Sequence, residues 1–456
     1  MSELPSGWIA TTLGQVVNYA ENEKIEPVDM APNAWLLELE DIERDSSKLL
    51  DKKTVAERAP KSSKNKFRAG DVLYGKLRPY LNKVLRANED GFCSSEIIPI
   101  SAGLLNRDFI FHALRSPVFI DYVQNASHGM GMPRLGTQQA KAAPFLLPPL
   151  AEQIRIAQKL DELLAQVDTL KARLDATPTL LKRFRQSVLA AAVSGRLTEE
   201  WRTVNAPEIA STLDEGWRTI PVDQISADEK YSLAIGPFGS NLKVSDYREE
   251  GRPLVFVREI RAERFGDQKT KFITPEKFAE LNAHQISAGD ILITKMGDPP
   301  GDVAIYPENA PDAVVTADCI KFRVNESIIL RKFAYFQMRS ELFRQKIKKI
   351  SAGVAQQKVS LGNFREVALL VPPLAEQTEI VRRVEQLFAF ADQLEAKVAS
   401  AKSRIDHLTQ SILAKAFRGE LVAHDPNDEP ASELLERIKA QRAAAPKAKR
   451  GRKASA

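Results

Sequence analysis

The sequence is poor in the residues that most chemistry requires. Its 456 residues include two cysteines, five histidines and four tryptophans. Cys93 and Cys319 are too few for a disulfide framework, and neither belongs to a CxxC pair, so both are expected to be core thiols. His112, His128, His284, His407 and His424 are scattered without metal-ligand spacing. The absence of a GxxxxGK[ST] loop excludes a P-loop ATP motor. No apolar run reaches the roughly 18 residues of a membrane span, and Glu3 and its polar neighbours in "MSELPSGWIATTLG" interrupt any signal peptide. A soluble, cytoplasmic chain without a membrane partner is expected.

Charge of one sign is also scarce once it is located. Lys and Arg number 65 against 60 Asp and Glu, a formal net charge of +5. Residues 437 to 456 hold eight of those cations and no acid, leaving −3 on the first 436 residues. Global charge therefore carries no nucleic-acid argument, and the tail "PKAKRGRKASA" is expected to be a solvated end that can touch DNA nonspecifically. With 43% hydrophobic and 27% charged residues, the composition is that of a globular protein long enough for several domains.

What the sequence does have is a repeat. "LPPLAEQIRIAQKLDELLAQVD" from Leu147 returns 224 residues later as "VPPLAEQTEIVRRVEQLFAFAD" from Val371. Residues 147 to 197 align with 371 to 421 without a gap, with 19 of 51 positions identical. Upstream, "FIFHALRSPVFIDYVQNASHG" from Phe109 lies over "FAYFQMRSELFRQKIKKISAG" from Phe333, "LPSGW" at Leu4 answers "LDEGW" at Leu213, and "AGDVLYGK" at Ala69 answers "AGDILITK" at Ala288. The chain is a tandem duplication.

Each copy has two parts. The first alternates apolar and polar positions in short runs such as "GDVLYG", "EIIPIS", "GDILIT" and "CIKFRV", the pattern of short strands with a few helices. The copies diverge most between Ala20 and Ile100 and between Ile235 and Val324. The second part carries apolar residues three and four apart: Leu160, Leu163, Leu164, Val167, Leu170 and Leu174, matched by Val384, Leu387, Phe388, Ala391, Leu394 and Val398. That stripe predicts a long helix from Ala151 to Ala176 whose seam faces its own copy as a coiled coil. Proline suits the first turn, so the Pro-Pro pair marks the start, with Glu152 and Glu376 at the positive end of the dipole. A second helix is expected after each, stopped at Gly195 and Gly419.

Catalytic motifs are missing. "GDPPG" at Gly297 is the nearest approach to the Asp-Pro-Pro-aromatic signature of adenine-N6 methyltransferases, but Gly301 cannot hold a flipped base. "HGMGMPRLG" at His128 lacks dinucleotide-binding spacing. What remains is polar loops. Lys76, Arg78, Tyr80, Asn82 and Lys83 follow a predicted strand; Lys295 and "GDPPGD" hold the corresponding place in the second copy. Arg134, Gln138 and Gln139 form a further loop matched by Gln356, Gln357 and Lys358. These residue types contact phosphates and base edges.

The doubled "PPLAEQ" helix, with "LPSGW" at the start and "SILAKAFRGEL" near the end, resembles the specificity subunit of type I restriction-modification systems over nearly the whole chain. "LDELLAQVDTLKAR", "LKRFRQSVLAAAVSGRLTEEWR" and "EIVRRVEQLFAFADQLEAKV" are most similar to its K-type subfamily, type IA. One departure is that "LTEEWR" follows the first helical region and "LVAHDPND", without tryptophan, the second.

The resemblance implies an α/β (α+β) fold with a pseudo-two-fold tandem repeat: two globular mixed α/β target recognition domains separated by two long antiparallel coiled-coil helical regions. The expected limits are 1–146 for the first recognition domain, 147–200 for the central helical region, 201–370 for the second domain with its leading linker, 371–424 for the C-terminal helical region and 425–456 for an extension ending in the basic tail. It further implies a non-catalytic subunit for DNA methylation and host defence that binds double-stranded DNA, each domain reading half of a bipartite target and the helices setting the spacer. Two methyltransferase subunits would carry S-adenosylmethionine and two restriction subunits would bring ATP and Mg, with no cofactor or metal on this chain. The competing readings are a stand-alone DNA-binding regulator and a protein-only scaffold.

Overall fold

A computed structural model of the chain describes residues 4–126, 133–205, 216–267, 269–351 and 357–444. It divides into two compact units, Met1–Asp175 with Ala399–Ala456, and Ala176–Val398. This division cuts both helical regions and gathers the expected C-terminal extension into the first unit.

In the first unit β1 (Ile9–Thr12) pairs antiparallel with β9 (Pro144–Leu147), fastening the two ends of the globule together. Between them, β2 (Lys24–Ile25), β4 (Lys64–Phe67), β7 (Gly91–Cys93) and β3 (Trp35–Leu37) form one sheet in that order, with β3 parallel to β7. A second sheet runs β6 (Val84–Arg86), β5 (Val72–Gly75), β8 (Ile97–Ile100). The unbroken apolar sequences of β5 and β8 suit strands buried on both faces, and both are fully buried. The core gathers Leu13, Val72, Ile100, Phe109 and Phe145 with Leu160 of the first long helix and Leu413 of the second. The C-terminal helix Ala431–Ala444 adds Ala431, Leu434 and Ile438 to that core, and Arg442 donates to the Gly14 and Gln15 carbonyls. Residues 431–444 are therefore part of the globule and not an appendage.

In the second unit β10 (Arg218–Pro221) pairs with β21 (Ala368–Val371) in the same way. One sheet is ordered β11 (Leu233–Ile235), β19 (Cys319–Phe322), β15 (Ile291–Thr294), β17 (Val303–Ile305), and another β13 (Phe272–Ile273), β12 (Arg252–Val255), β18 (Ala313–Val315), β14 (Gln285–Ile286). A short pair, β16 (Met296–Gly297) with β20 (Gln357–Lys358), completes it. Cys93 and Cys319 are free and buried, and burial pushes the Cys319 thiol up to about 12.

Each helical region is one helix instead of two, Leu150–Val193 and Leu374–Ala416. Pro178 lies inside the first. Proline costs about 3 kcal/mol in a helix interior, yet the helix continues through it to Val193, with Leu181 buried within the next turn. The helices run antiparallel: Lys171 pairs with Asp406 at 2.8 Å and Asp175 with Lys402 in the first unit, and Arg185 meets Asp392 and Glu395 in the second. Such exposed pairs add little stability; they mark the register.

The expected seam residues differ in burial. Leu160, Val167, Val384 and Ala391 are buried, and Leu163, Leu164, Leu174, Leu387, Phe388 and Val398 are half-buried. Leu170 and Leu394 are corrections, at 47% and 36% exposed, because a two-helix pair covers one side only. Leu160 and Val384 join globule cores, so near each globule the apolar stripe faces the globule as well as the other helix.

Candidate nucleic-acid interface

The repeated "PPLAEQ" anchors each globule to its helix. Glu152 and Gln153, and likewise Glu376 and Gln377, are buried. Gln153 accepts from the Asn106 amide and donates to the Pro148 carbonyl; Gln377 accepts from the Leu330 amide and donates to those of Pro372 and Ile328. Trp8 donates to Glu152 at 3.0 Å and Trp217 to Glu376 at 2.9 Å, which is the work of the "LPSGW" and "LDEGW" tryptophans. The segments after the helices then serve the opposite copy. Thr198 and Arg202, from "LTEEWR", bind Glu376, while His424, from "LVAHDPND", lies 2.9 Å from Glu152.

With the frame fixed, two loops that lie far apart in sequence meet at one end of each globule. In the first unit the Lys76 amide donates to the Glu96 carbonyl, the Leu135 amide to the Lys76 carbonyl, and Leu77 bridges Arg134 antiparallel. In the second the Lys295 amide donates to the Asp318 carbonyl, the Val359 amide to the Lys295 carbonyl, and Met296 pairs with Lys358. One backbone arrangement thus presents different side chains in the two copies. It sits where β5 ends and β8 begins, and where β15 ends and β19 begins.

Most of the expected residues reach this place. Lys76 and Lys295 are half-buried, Arg78, Gln138 and Lys358 are exposed, Gln357 is half-buried, and Tyr80 is 45% exposed. Arg134 donates through Nε to Glu96 Oε2 at 3.2 Å with its side chain 51% exposed. The turn Pro79–Leu81 is flanked by Arg78 at φ 49° and Asn82 at φ 47°, both left-handed. Asparagine takes that conformation readily and arginine at some cost, and together they close the turn tightly.

Three residues do structural work instead. Asn82 is 4% exposed, its short side chain suiting the left-handed position that closes the turn. Lys83 donates to the Leu39 carbonyl at 2.7 Å, and burial lowers its pKa. Gln139 accepts from the Gly136 amide and donates to the Ala126 carbonyl. Gln356 and His128 lie outside the described residues.

The "GDPPGD" loop is fastened by Thr294, whose hydroxyl accepts from the Gly301 and Asp302 amides at 3.0 and 2.9 Å. Two further residues at this end escaped the sequence reading. Arg261 donates through Nε to Asp302 Oδ2 at 2.7 Å. Phe238, 65% exposed, follows Gly236, whose amide donates to the Cys319 carbonyl at the start of β19. Only "GPFGS" beside a strand could have signalled it. Among the described residues no metal-holding group of three His, Cys, Asp or Glu occurs, and no helix is long and apolar enough to cross a membrane.

Each unit thus carries the same strand frame and a matched loop pair at one end, with different side chains on the loops. Comparison supplies the family. Residues 5–177 and 243–401 match the model described as "Type I restriction modification DNA specificity domain". The chain is 34% identical over 369 residues to the EcoKI specificity subunit of Escherichia coli K12, covering 77% of this chain and 75% of that one. It is 35% identical over 364 residues to the EcoBI subunit of Escherichia coli (78% and 76%), and 34% over 361 residues to the StySPI subunit of Salmonella potsdam (76% and 74%). The fold is shared with the HsdS subunit of Thermoanaerobacter tengcongensis, at TM-score 0.61 and 21% identity over 92% of this chain and 98% of that one. A chain from a structure of type I R-M complex assembly gives TM-score 0.65 at 20% identity, covering 92% and 100%. The chain belongs to the family of type I restriction-modification specificity subunits, and it resembles the type IA members among them.

Proposed function

We propose that each unit reads one half of a bipartite double-stranded DNA target through its loop pair, and that the two long helices set the gap between the halves. The observation that carries this reading is the loop pair itself, built twice on one hydrogen-bond pattern while Arg134 stands where Lys358 stands and Leu77 where Met296 stands. A constant frame with variable side chains suits two different half-sites. The exposed Arg78, Arg134 and Lys358 supply phosphate and base contacts, which favours DNA over a protein-only scaffold. The chain itself does no chemistry: it recruits two methyltransferase subunits that carry S-adenosylmethionine and two restriction subunits that bring ATP and Mg.

Mapping N6-methyladenine in cells that express the chain with its methyltransferase tests this directly, with a split motif as the expected result. The isolated chain should incorporate no label from S-adenosylmethionine; incorporation would contradict the non-catalytic role.

A further inference from the structure

We propose that Arg134 in the first unit and Arg261 in the second each read the guanine of a G·C pair in the major groove, one in each half-site. The inference rests on the half-site reading above and names the base and the atoms.

Both arginines stand at the loop-bearing end of their unit. Arg134 bridges Leu77, and its carboxylate partner Glu96 immediately precedes β8. Arg261 closes the short helix Val257–Ala262 after β12, and Asp302 lies between the "GDPPG" loop and β17. A side-chain carbon on Gly297 would fall 2.2 Å from Arg261 Nη2, so the guanidinium rests against the loop where only glycine leaves space.

They are also held in the same way. Each donates Nε to a carboxylate distant in sequence, and among the described residues Nη1 and Nη2 have no partner, with side chains 51% and 45% exposed. The carboxylate fixes the guanidinium plane before DNA arrives, which reduces the ordering cost of binding. Arg323, Arg382 and Arg418 show the contrasting arrangement: each places Nε and Nη2 on one carboxylate and so has spent its fork.

An end-on guanidinium offers two parallel donors and no acceptor. Guanine presents N7 and O6, two acceptors side by side, whereas adenine presents an acceptor and an N6 donor that the guanidinium cannot satisfy. Thymine and cytosine give one acceptor or none there. Guanine is the base that uses both free amines.

The test selects duplexes from a random pool with the full-length chain in complex with its methyltransferase subunits. The unaltered chain should return a split motif with a guanine in each half. Arg134→Gln should lose preference at one guanine in one half by about tenfold to a hundredfold. The other half should be unchanged, which also shows that the variant folds. Arg261→Gln should do the reverse. Placing 7-deazaguanine at the affected position should weaken binding by the unaltered chain and leave Arg134→Gln indifferent. A split motif whose guanines survive both substitutions overturns the inference alone, as does uniform weakening with an unchanged motif, the mark of a phosphate contact. A pool with no selected motif overturns the half-site reading and this inference with it.

Discussion

The Trp217 indole donates to Glu376 Oε2 across 2.9 Å, in a buried cluster that Arg202 and Thr198 complete from the end of the first long helix. The matching carboxylate, Glu152, has Trp8 and the 36% exposed His424. The two clusters occupy equivalent places and differ in what the loss of the carboxylate would strand. Glu376→Ala leaves a guanidinium only 9% exposed without its counter-charge, at a cost of about 3–5 kcal/mol. Glu152→Ala leaves an indole unpaired and a histidine with access to water, at about 1–3 kcal/mol. Thermal melting should fall by roughly 10 °C for the first and about half that for the second; equal losses would contradict the asymmetry.

Acidification should weaken the first unit earlier than the second. His112 is buried, with Nε2 2.9 Å from Asp161 Oδ1, and burial lowers its pKa against the pull of Asp161. Asp161 is held well below the usual carboxylate range because His112 and Arg86 outweigh its own burial. For a histidine with a lowered folded value, the unfolded chain takes the proton first, so stability is lost as pH falls below about 6.5. Asp161 adds a second loss below about 4, where the unfolded carboxylate protonates first. The corresponding residue in the second unit is Phe336, which packs on Phe388. His112→Phe should therefore flatten the dependence of stability on pH between about 6.5 and 5. Melts of the variant with the original slope would refute this.

Salt dependence separates phosphate contacts from base contacts. Lys76→Ala and Arg78→Ala should each reduce the slope of log affinity against log salt by about 0.9 while leaving the selected motif intact. A changed motif with an unchanged slope would place these side chains on bases.

The helices make a claim about spacing. Lengthening one alone leaves its antiparallel partner short, so four residues are inserted in both, after Asp175 and after Val398. At 1.5 Å per residue this adds about 6 Å, which should widen the gap between half-sites by one or two base pairs at about 3.4 Å each. Half-sites stay the same. Methylation at an unchanged gap would show that the helices are not the ruler.

The duplicated frame was legible in the sequence because it is repeated almost literally: "PPLAEQ", the paired tryptophans and the helical stripes each reappear at matching places. The interface was legible as two separate loops in each copy, but not as a pair. Leu77 and Arg134 meet because β5 and the segment before β9 end at the same edge, which no local pattern encodes. The same holds for Arg202 and Glu376, and for Arg261, which arrives from a third element. The burial of Asn82 was not legible because a polar residue after a strand reads alike whether it faces solvent or closes a left-handed turn. The continuous helix through Pro178 was missed because proline's local penalty is visible in sequence and the tertiary packing that offsets it is not.

The central claim is that the two units read independently. Replacing residues 18–142 with those of a relative leaves β1, β9 and the Trp8–Glu152 contact in place, and N6-methyladenine mapping then reads the outcome. One half-site should change while the other and the gap persist; a simultaneous change in both halves, or loss of the untouched one, would contradict the account.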